Sequence, residues 1–165
     1  MTESERANRA YGVFQTIARG YDAANERISL GRQRRWKRAA IDALRLKNTG
    51  RGLDLGCGTG DMLELLAERY PGMALVGLDF SPNMLQVAKE RLAGFANVSL
   101  EQGDAMHLGY ADGSFDCVVS AFALRNMASC ERAVGEIARV LRPGGVVCCM
   151  DSFVPECRAL LPLYR

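Results

Sequence analysis

The chain has 165 residues, a hydrophobic content of 48%, a charged content of 24% and a formal net charge of +2. This length predicts one domain that can bury a core. The small net charge gives no support for a nucleic-acid-binding protein, and no apolar run is long enough to cross a bilayer. Residues 32–47 nevertheless carry seven basic residues against one acid. This segment predicts either a solvated helix face or contact with an anionic membrane surface.

The cysteine pattern gives no support for a metal site. There are six cysteines but no C-x-x-C pair and no cluster with the single histidine, so we expect no zinc. Several cysteines lie in apolar runs, where the side chain behaves as a small hydrophobe. Without a signal-peptide pattern, we expect a reducing, cytoplasmic location.

The first fifty residues predict two or three helices before any strand. No strand-like alternation occurs there, whereas apolar residues recur at helical spacing with basic residues on the opposite face of the second group. We expect residues 1–50 to form an N-terminal helical cap. The apolar residues at helical spacing are Val13, Phe14 and Ile17, and then Trp36, Ala40, Ile41 and Leu44.

Beyond residue 50, short apolar runs alternate with amphipathic segments. This alternation predicts an α/β fold, a doubly wound and mostly parallel sheet with helices on both faces, whose ligands bind at the carboxyl ends of the strands. Ser81 and Ser129 are expected to cap helices, and a Pro-Gly-Gly sequence at 143–145 to end the last one. We predict strands at 52–55, 74–79, 97–102, 115–121 and 146–151, and helices at 61–70, 82–92 and 130–141.

A glycine-rich turn, GCGTG at 56–60, follows the first predicted strand. Glycines there permit a close approach of ligand to backbone, and the next helix directs free amides at the ligand. Dinucleotide-binding turns carry G-x-G-x-x-G, but here Asp61 stands where their last glycine would be. A carboxylate would repel a pyrophosphate and suits a cofactor with an amino group and a sulfonium. We therefore expect S-adenosylmethionine.

The ends of the other predicted strands supply further candidate residues. Asp79 lies about 20 residues beyond the turn, where doubly wound folds place an acid that binds ribose hydroxyls; the alternative is a charge at a helix N-terminus. Phe80 and Met84 are candidates to pack against adenine, with core packing as the alternative. Asp54 is placed either to reach the cofactor amino group or to brace the turn. The predicted cofactor-binding residues are Asp54, Gly56, Cys57, Gly58, Thr59, Gly60, Asp79, Phe80, Met84, Asp104, Ala105, Ser120 and Ala121.

Several segments together resemble the class I S-adenosylmethionine-dependent methyltransferases. They are DLGCGTGD at 54–61, GLDFSPNML at 77–85, GDA at 103–105, FD at 115–116 and RVLRPGG at 139–145. Other segments are similar to signatures of the ubiquinone/menaquinone biosynthesis C-methyltransferases within that class. They are VFQTIARGYD at 13–22 with Asn25, LG at 30–31, RWK at 35–37 and FALRN at 122–126.

This resemblance implies a Rossmann-like methyltransferase that methylates a ring carbon of a polyprenylated quinol. It implies catalytic roles for Arg125 and Asn126. A guanidinium stays protonated, so Arg125 would hold a phenolate or orient a water that takes the proton, and Asn126 would bond a quinol oxygen. The alternative for this pair is a helix entry bonded to backbone. Tyr21, Asn25 and Trp36 would line or cover the substrate pocket, with core packing as the alternative.

The family's sheet has seven strands, whereas this chain carries five predicted strands. We therefore expect residues 51–165 to be a C-terminally truncated cofactor domain whose fifth strand is an unpaired edge, and a homo-oligomer formed through that edge. The resemblance further implies peripheral contact with the inner face of the membrane. Two alternatives stay open: a methyltransferase for another small molecule, and a cofactor-binding module that is inactive alone. Ala121 stands where many family members have Ser, which removes one hydrogen bond to the cofactor.

Overall fold

Within the described residues, two α-helices of eight residues or more precede the sheet, in agreement with the expectation of two or three helices. A computed structural model describes residue 12 and residues 16–151 of the chain. After a 3-10 turn at Ala18–Gly20, helix α1 spans Tyr21–Ile28 and helix α2 spans Gln33–Ala43. Val13 and Phe14 lie outside the described residues. None of the helices in the described part of the chain has the length and apolar character required to cross a bilayer.

The remaining elements form the doubly wound α/β fold that the alternating pattern predicts. One five-stranded sheet has the order β3-β2-β1-β4-β5, and all neighbouring strands are parallel. The strands are β1 (Arg51–Leu55), β2 (Ala74–Asp79), β3 (Val98–Gln102), β4 (Phe115–Ala121) and β5 (Leu141–Met150). The later helices are α3 (Asp61–Arg69), α4 (Pro82–Arg91) and α5 (Cys130–Val140).

Each face of the sheet is covered by its own apolar cluster. Val119 of β4 packs in the cluster that contains Leu63 and Leu66 of α3. Its neighbour Val118 points to the opposite face and packs in the cluster that contains Ile137 of α5. This change of face from one residue to the next follows from the strand period of two. Burial on both faces explains why the central strands β2 and β4 are mostly continuous apolar runs in the sequence.

The last strand begins earlier than predicted. We expected the helix to include Leu141 and the strand to occupy 146–151, but α5 ends at Val140 and β5 starts at Leu141. Leu141 pairs with Phe115, the register then shifts, and regular pairing resumes where Val146 faces Cys117. The Pro-Gly-Gly sequence therefore lies within an irregular stretch of the strand. Its central glycine has a φ of +77°, which a glycine adopts without strain.

The strand order creates a crevice between β1 and β4. The chain moves outward from β1 through β2 to β3 and then returns to the other side of β1 at β4. Connections diverge at such a switch point, so a crevice opens at the carboxyl ends of the two central strands. The glycine-rich turn follows β1, and Phe122 follows β4. The fold therefore brings both segments to one site.

Candidate functional site

A pocket of about 310 Å³ opens at this crevice, within the size range of small-molecule sites. Residues that follow β1, β2, β3 and β4 line it, together with one side chain from each of α1 and α2. The pocket thus combines the carboxyl ends of the strands with the two N-terminal helices. The predicted site residues that line it are Tyr21, Gly56, Cys57, Gly58, Thr59, Asp79, Phe80, Met84, Asp104, Ala105, Ala121 and Asn126.

The three glycines of the turn have different physical roles. All three have positive φ, +73° at Gly56, +55° at Gly58 and +81° at Gly60, where a side chain is strained. A Cβ at Gly56 would lie 2.5 Å from the Cβ of Ala123, and one at Gly60 would lie 2.8 Å from Leu92. A Cβ at Gly58 would meet nothing within 4 Å. Gly58 therefore exposes its backbone to the pocket, whereas the other two glycines allow close packing.

Asp79 holds this turn in place and also lines the pocket. Its Oδ2 accepts a hydrogen bond from the Gly58 amide at 2.8 Å, and its Oδ1 accepts one from the Ser81 amide at 2.9 Å. Burial raises the pKa of this carboxyl, while the amide hydrogen bonds lower it. Each carboxylate oxygen has a second acceptor position, so Asp79 can accept further hydrogen bonds from a ligand.

Lys37 is a pocket residue that the sequence reasoning did not select. Only 5% exposed, it places its Nζ atom 2.5 Å from Oδ2 of Asp61, and both residues line the pocket. An ammonium has three donors, so Lys37 can bind a second anionic group. The pair therefore suits a ligand with an amino group and a carboxylate. The helical periodicity could have indicated that Lys37 is buried. Lys37 lies on the same face as Ile41 and Leu44, which follow it by four and seven residues.

Cys57 and Asp54 lie at the same turn but differ in access to the pocket. Cys57 lines it, and burial raises the pKa of its thiol, which stays protonated at neutral pH. Asp54 does not line the pocket and is 1% exposed. Within the described residues neither of its carboxylate oxygens has a hydrogen-bond partner. Burial, aided by Asp61, raises its pKa to about 8 while Lys37 opposes this shift, so Asp54 is mainly protonated at pH 7.

Phe122 contributes an aromatic ring to the lining of the pocket. Its φ of +57° is rare for a bulky residue, and such strain is frequent at functional sites. Two hydrogen bonds hold it: its amide donates to the Met150 carbonyl at 2.7 Å, and its carbonyl accepts from Nδ2 of Asn126 at 3.0 Å. The Lys37 ammonium and the Arg125 guanidinium lie 5.8 and 5.4 Å from its ring centre. Sequence reasoning identified Asn126 and missed this aromatic wall.

Arg125 lies beside the pocket and not in its lining. Its Nη1 donates to Oδ1 of Asp151 at 2.5 Å. Burial raises the pKa of Tyr21, and the charge of Arg125 and a hydrogen bond with Asn25 lower it. These three side chains therefore interact at the edge of the pocket. The predicted residues outside the lining are Asn25, Trp36, Asp54, Gly60, Ser120 and Arg125.

Ser120 and Trp36 lie in opposite surroundings outside the lining, one buried beneath the pocket and one exposed on α2. Ser120 is 1% exposed, and its Oγ donates to the Leu55 carbonyl at 2.8 Å, so it joins β4 to β1 beneath the pocket. Trp36 is 48% exposed. Its neighbour Lys37 occupies the inner face of α2 instead, because adjacent helical residues point about 100° apart. The predicted roles of both residues in ligand binding stay predictions.

Asp22 fastens helix α1 to the glycine-rich turn. Its Oδ1 accepts from the Thr59 hydroxyl at 2.7 Å, and its Oδ2 accepts from the guanidinium of Arg91, the last residue of α4. Thr59 is 2% exposed and lines the pocket. Since Tyr21 precedes Asp22, the same contacts position Tyr21 over the pocket.

Asp54→Asn is expected to remove a pH dependence of stability. The pKa of Asp54 is about 8 in the folded chain against an ordinary value of 3.8. The native state therefore keeps a proton that the unfolded state releases, and the free energy of unfolding falls as pH rises from about 4 to about 8. Urea unfolding near pH 5 and near pH 8 measures this fall, which should be smaller in Asp54→Asn. Asp42→Asn, an exposed acid, is the control; equal slopes in all three proteins would contradict the assignment.

Asp22→Asn is expected to weaken binding of S-adenosylmethionine by roughly tenfold, because a charge-assisted contact to the turn is lost. Isothermal titration calorimetry measures the dissociation constant. Glu26→Gln is the matched control, since Glu26 is an exposed acid on the same helix. Equal affinities of Asp22→Asn and the control variant would show that the contacts of Asp22 with Thr59 and Arg91 have no effect on ligand binding.

Known proteins share both the sequence pattern and the fold. The pattern of the ubiE/COQ5 methyltransferase family matches residues 1–165. A demethylmenaquinone methyltransferase of Staphylococcus epidermidis is 37% identical over 100% of this chain and 68% of its own length. The enzyme of the same name from Thermus thermophilus is 42% identical over 93% of this chain and 70% of its own. The chain thus spans about two thirds of the length of these curated relatives.

A solved structure has the same fold. A SAM-dependent methyltransferase from Aquifex aeolicus superposes with a TM-score of 0.66 at 21% identity, over 74% of this chain and 66% of that one. This likeness concerns the fold alone. It agrees with the doubly wound sheet and with the resemblance noted in the sequence. The family pattern, which spans the whole chain, and the two relatives lead to one conclusion: the chain belongs to the ubiE/COQ5 methyltransferase family.

Proposed function

We propose that the chain is the catalytic unit of a C-methyltransferase that uses S-adenosylmethionine to methylate a ring carbon of a polyprenylated quinol. The observation that carries this proposal is one pocket lined by two kinds of groups. The glycine turn, Asp79 and the Lys37–Asp61 pair supply polar and charged groups, and Tyr21, Phe122 and Asn126 add two aromatic rings and an amide. The names of the relatives favour a demethylmenaquinol, a naphthoquinol, as the acceptor in quinone biosynthesis.

The residues at the turn fit S-adenosylmethionine, which when bound supplies an electrophilic methyl carbon on a sulfonium. The open backbone at Gly58 admits a ligand, and Asp79 would accept hydrogen bonds from the ribose hydroxyls. Asp61 and Lys37 would bind the amino and carboxylate groups of the methionyl part. We assign Phe80, Met84, Asp104 and Ala105 to the region that would bind adenine. The remaining contacts with the cofactor would come from Ala121 and from the lining residues of the turn, Gly56, Cys57, Gly58 and Thr59.

Arg125, Tyr21 and Asn126 would activate the quinol. An aromatic carbon is a weak nucleophile until a ring hydroxyl loses its proton, so the site must stabilise a phenolate. Arg125 is fixed by Asp151, and its five donors allow it to bind a phenolate while that contact persists. Burial raises the pKa of Tyr21, which therefore stays a phenol that can donate a hydrogen bond. Asn126 would bind a second quinol oxygen.

The N-terminal helices would complete the site. We propose that residues 1–50 act as a cap over the cofactor domain at 51–165. Asp22 and Lys37 attach α1 and α2 to the turn, and closure of this cap excludes water from the reacting groups. Because a prenylated quinol resides in the membrane, we further propose that the protein works at the inner, cytoplasmic membrane face.

Arg125→Gln tests the proposed chemistry. We expect binding of S-adenosylmethionine to change less than about twofold and methyl transfer to fall by about 10²-fold, because loss of one oxyanion-stabilising group costs this much. The assay follows the radiolabelled methyl group into a demethylated menaquinol. Arg69→Gln is the control, since Arg69 is an exposed arginine paired with Asp42. Full activity in Arg125→Gln would exclude the proposed role of this residue.

The same assay distinguishes the two alternative functions. Faster turnover on unrelated small acceptors than on quinols would identify a methyltransferase for another small molecule. Cofactor binding without turnover on any acceptor would identify a binding module that is inactive alone. Neither result agrees with the quinol methyltransferase proposed above.

We also propose self-association of the chain through β5. In the described sheet, β5 pairs on one side with β4 and is an edge on the other, and Val147 on this strand is 49% exposed. An apolar edge strand can pair with a second copy of itself. We expect sedimentation velocity to detect a concentration-dependent dimer that Val147→Lys weakens. A monomer at high concentration would contradict this proposal.

A further inference from the structure

Large apolar side chains are exposed around the turn between α1 and α2. Among the described residues, Ile28 is 83% exposed, Leu30 is 80% exposed and Trp36 is 48% exposed. Ile28 ends α1, Leu30 lies in the turn and Trp36 lies in the first turn of α2. Only three other large hydrophobic residues of the described chain, Ile17, Val134 and Val147, are exposed. Single exposed apolar residues are ordinary, but this concentration within nine residues is not.

The backbone of Leu30 is strained although its side chain buries little surface. Its φ is +52°, a left-handed conformation that is unfavourable for a residue with a Cβ. The hydrogen bond from the Gly31 amide to the Glu26 carbonyl at 2.8 Å holds the turn closed. Glycine would adopt this conformation without strain. Folding of the described residues therefore gives no reason for a leucine here, whereas contact with a partner would.

The same turn has unneutralised positive charge. Arg27, Arg32 and Arg35 are exposed, and no ion pair joins any of them to another described residue. In contrast, Arg34 and Arg38 on α2 pair with acids of α3. The exposed apolar side chains therefore lie among arginines whose charges are available to an anionic partner.

The turn also connects the two helices that reach the pocket. Tyr21 at the start of α1 and Lys37 on α2 both line it. The turn is thus close in sequence to both helical residues that line the pocket. A bilayer bound at this turn would itself contain a lipid-soluble acceptor and would present it near these helices.

We propose that residues 27–36 form a docking surface for an anionic lipid bilayer, here named the α1–α2 docking surface. Ile28, Leu30 and Trp36 would insert among the lipid headgroups, as apolar side chains of interfacial segments do. Arg27, Arg32 and Arg35 would bind the lipid phosphates, and the positive charge selects anionic over zwitterionic membranes. This inference rests on the proposed function, because a prenylated quinol is supplied from a bilayer.

Leu30→Gly is the most direct test, since the variant keeps the turn and relieves its strain. We expect its urea midpoint to equal or exceed that of the wild type, while its partition onto vesicles falls at least fivefold. The vesicles contain phosphatidylcholine with about 30% phosphatidylglycerol, and sedimentation separates bound from free protein. Val134→Ser is the control, because Val134 on α5 is exposed to the same degree as Trp36. Unchanged partition of Leu30→Gly would overturn the proposal.

The arginines are tested by a triple variant, Arg27→Gln with Arg32→Gln and Arg35→Gln. We expect a loss of about fivefold in vesicle affinity per arginine at low salt, and a smaller loss at high salt. Arg34→Gln with Arg38→Gln is the control, since both arginines already pair with acids. Equal binding of the wild type to vesicles with and without phosphatidylglycerol would overturn the selection for anionic lipid.

Two acceptors separate this inference from the proposed function. With a short-chain, water-soluble quinol, Leu30→Gly should methylate at the wild-type rate, and with a long-chain quinol in vesicles it should be slower. Vesicle binding without quinol methylation would contradict the proposed function and leave the docking surface supported. Methylation of the soluble quinol without vesicle binding would contradict the docking surface and leave the proposed function supported. A wild-type dimer that Leu30→Gly converts to a monomer would identify the surface as a protein interface and overturn the proposal.

Discussion

The carboxylate of Asp79 joins the end of β2 to the glycine turn that follows β1. The Leu78 carbonyl adds to this link, because it accepts hydrogen bonds from the amides of Gly56 and Cys57 at 2.8 and 3.0 Å. A turn with three left-handed residues would otherwise have many conformations. These bonds select one of them, in which the backbone at Gly58 faces the pocket. The shape of the proposed cofactor site therefore depends on the parallel pairing of β1 with β2.

The N-terminal helices are attached to this frame by charged contacts and, for α2, also by apolar packing of Ile41. Lys37 contacts Asp61, and Asp22 contacts Thr59 and Arg91. All of these contacts lie at or next to the pocket, so a ligand that binds there also affects the position of the helices. Because charged contacts are weaker in water than in a dry interior, the proposed cap would be held more firmly if the pocket excluded solvent. Ligand binding and cap closure are thus expected to be cooperative.

The sequence predicted those features that depend on local patterns. Glycine spacing identified the turn, alternation of apolar runs identified the parallel sheet, and Asp79 was located by its distance from the turn. Lys37 was missed because charged residues are expected on solvated faces, and only the tertiary contact with Asp61 explains its burial. The ion pair of Arg125 with Asp151 and the strained backbone of Phe122 depend equally on distant strands. The start of β5 was misplaced because strand pairing, not local propensity, decided it.

Cys57 has a consequence for the fidelity of the enzyme. A methyl sulfonium is an alkylating agent, and an ionised sulfur is among the strongest nucleophiles in a protein. Cys57 lines the very pocket assigned to that cofactor, yet burial raises the pKa of its thiol and keeps it neutral. Under the proposed function, the burial of this side chain would protect the protein against methylation of its own sulfur. The neutral thiol would in this way preserve the reagent for the proposed acceptor ring.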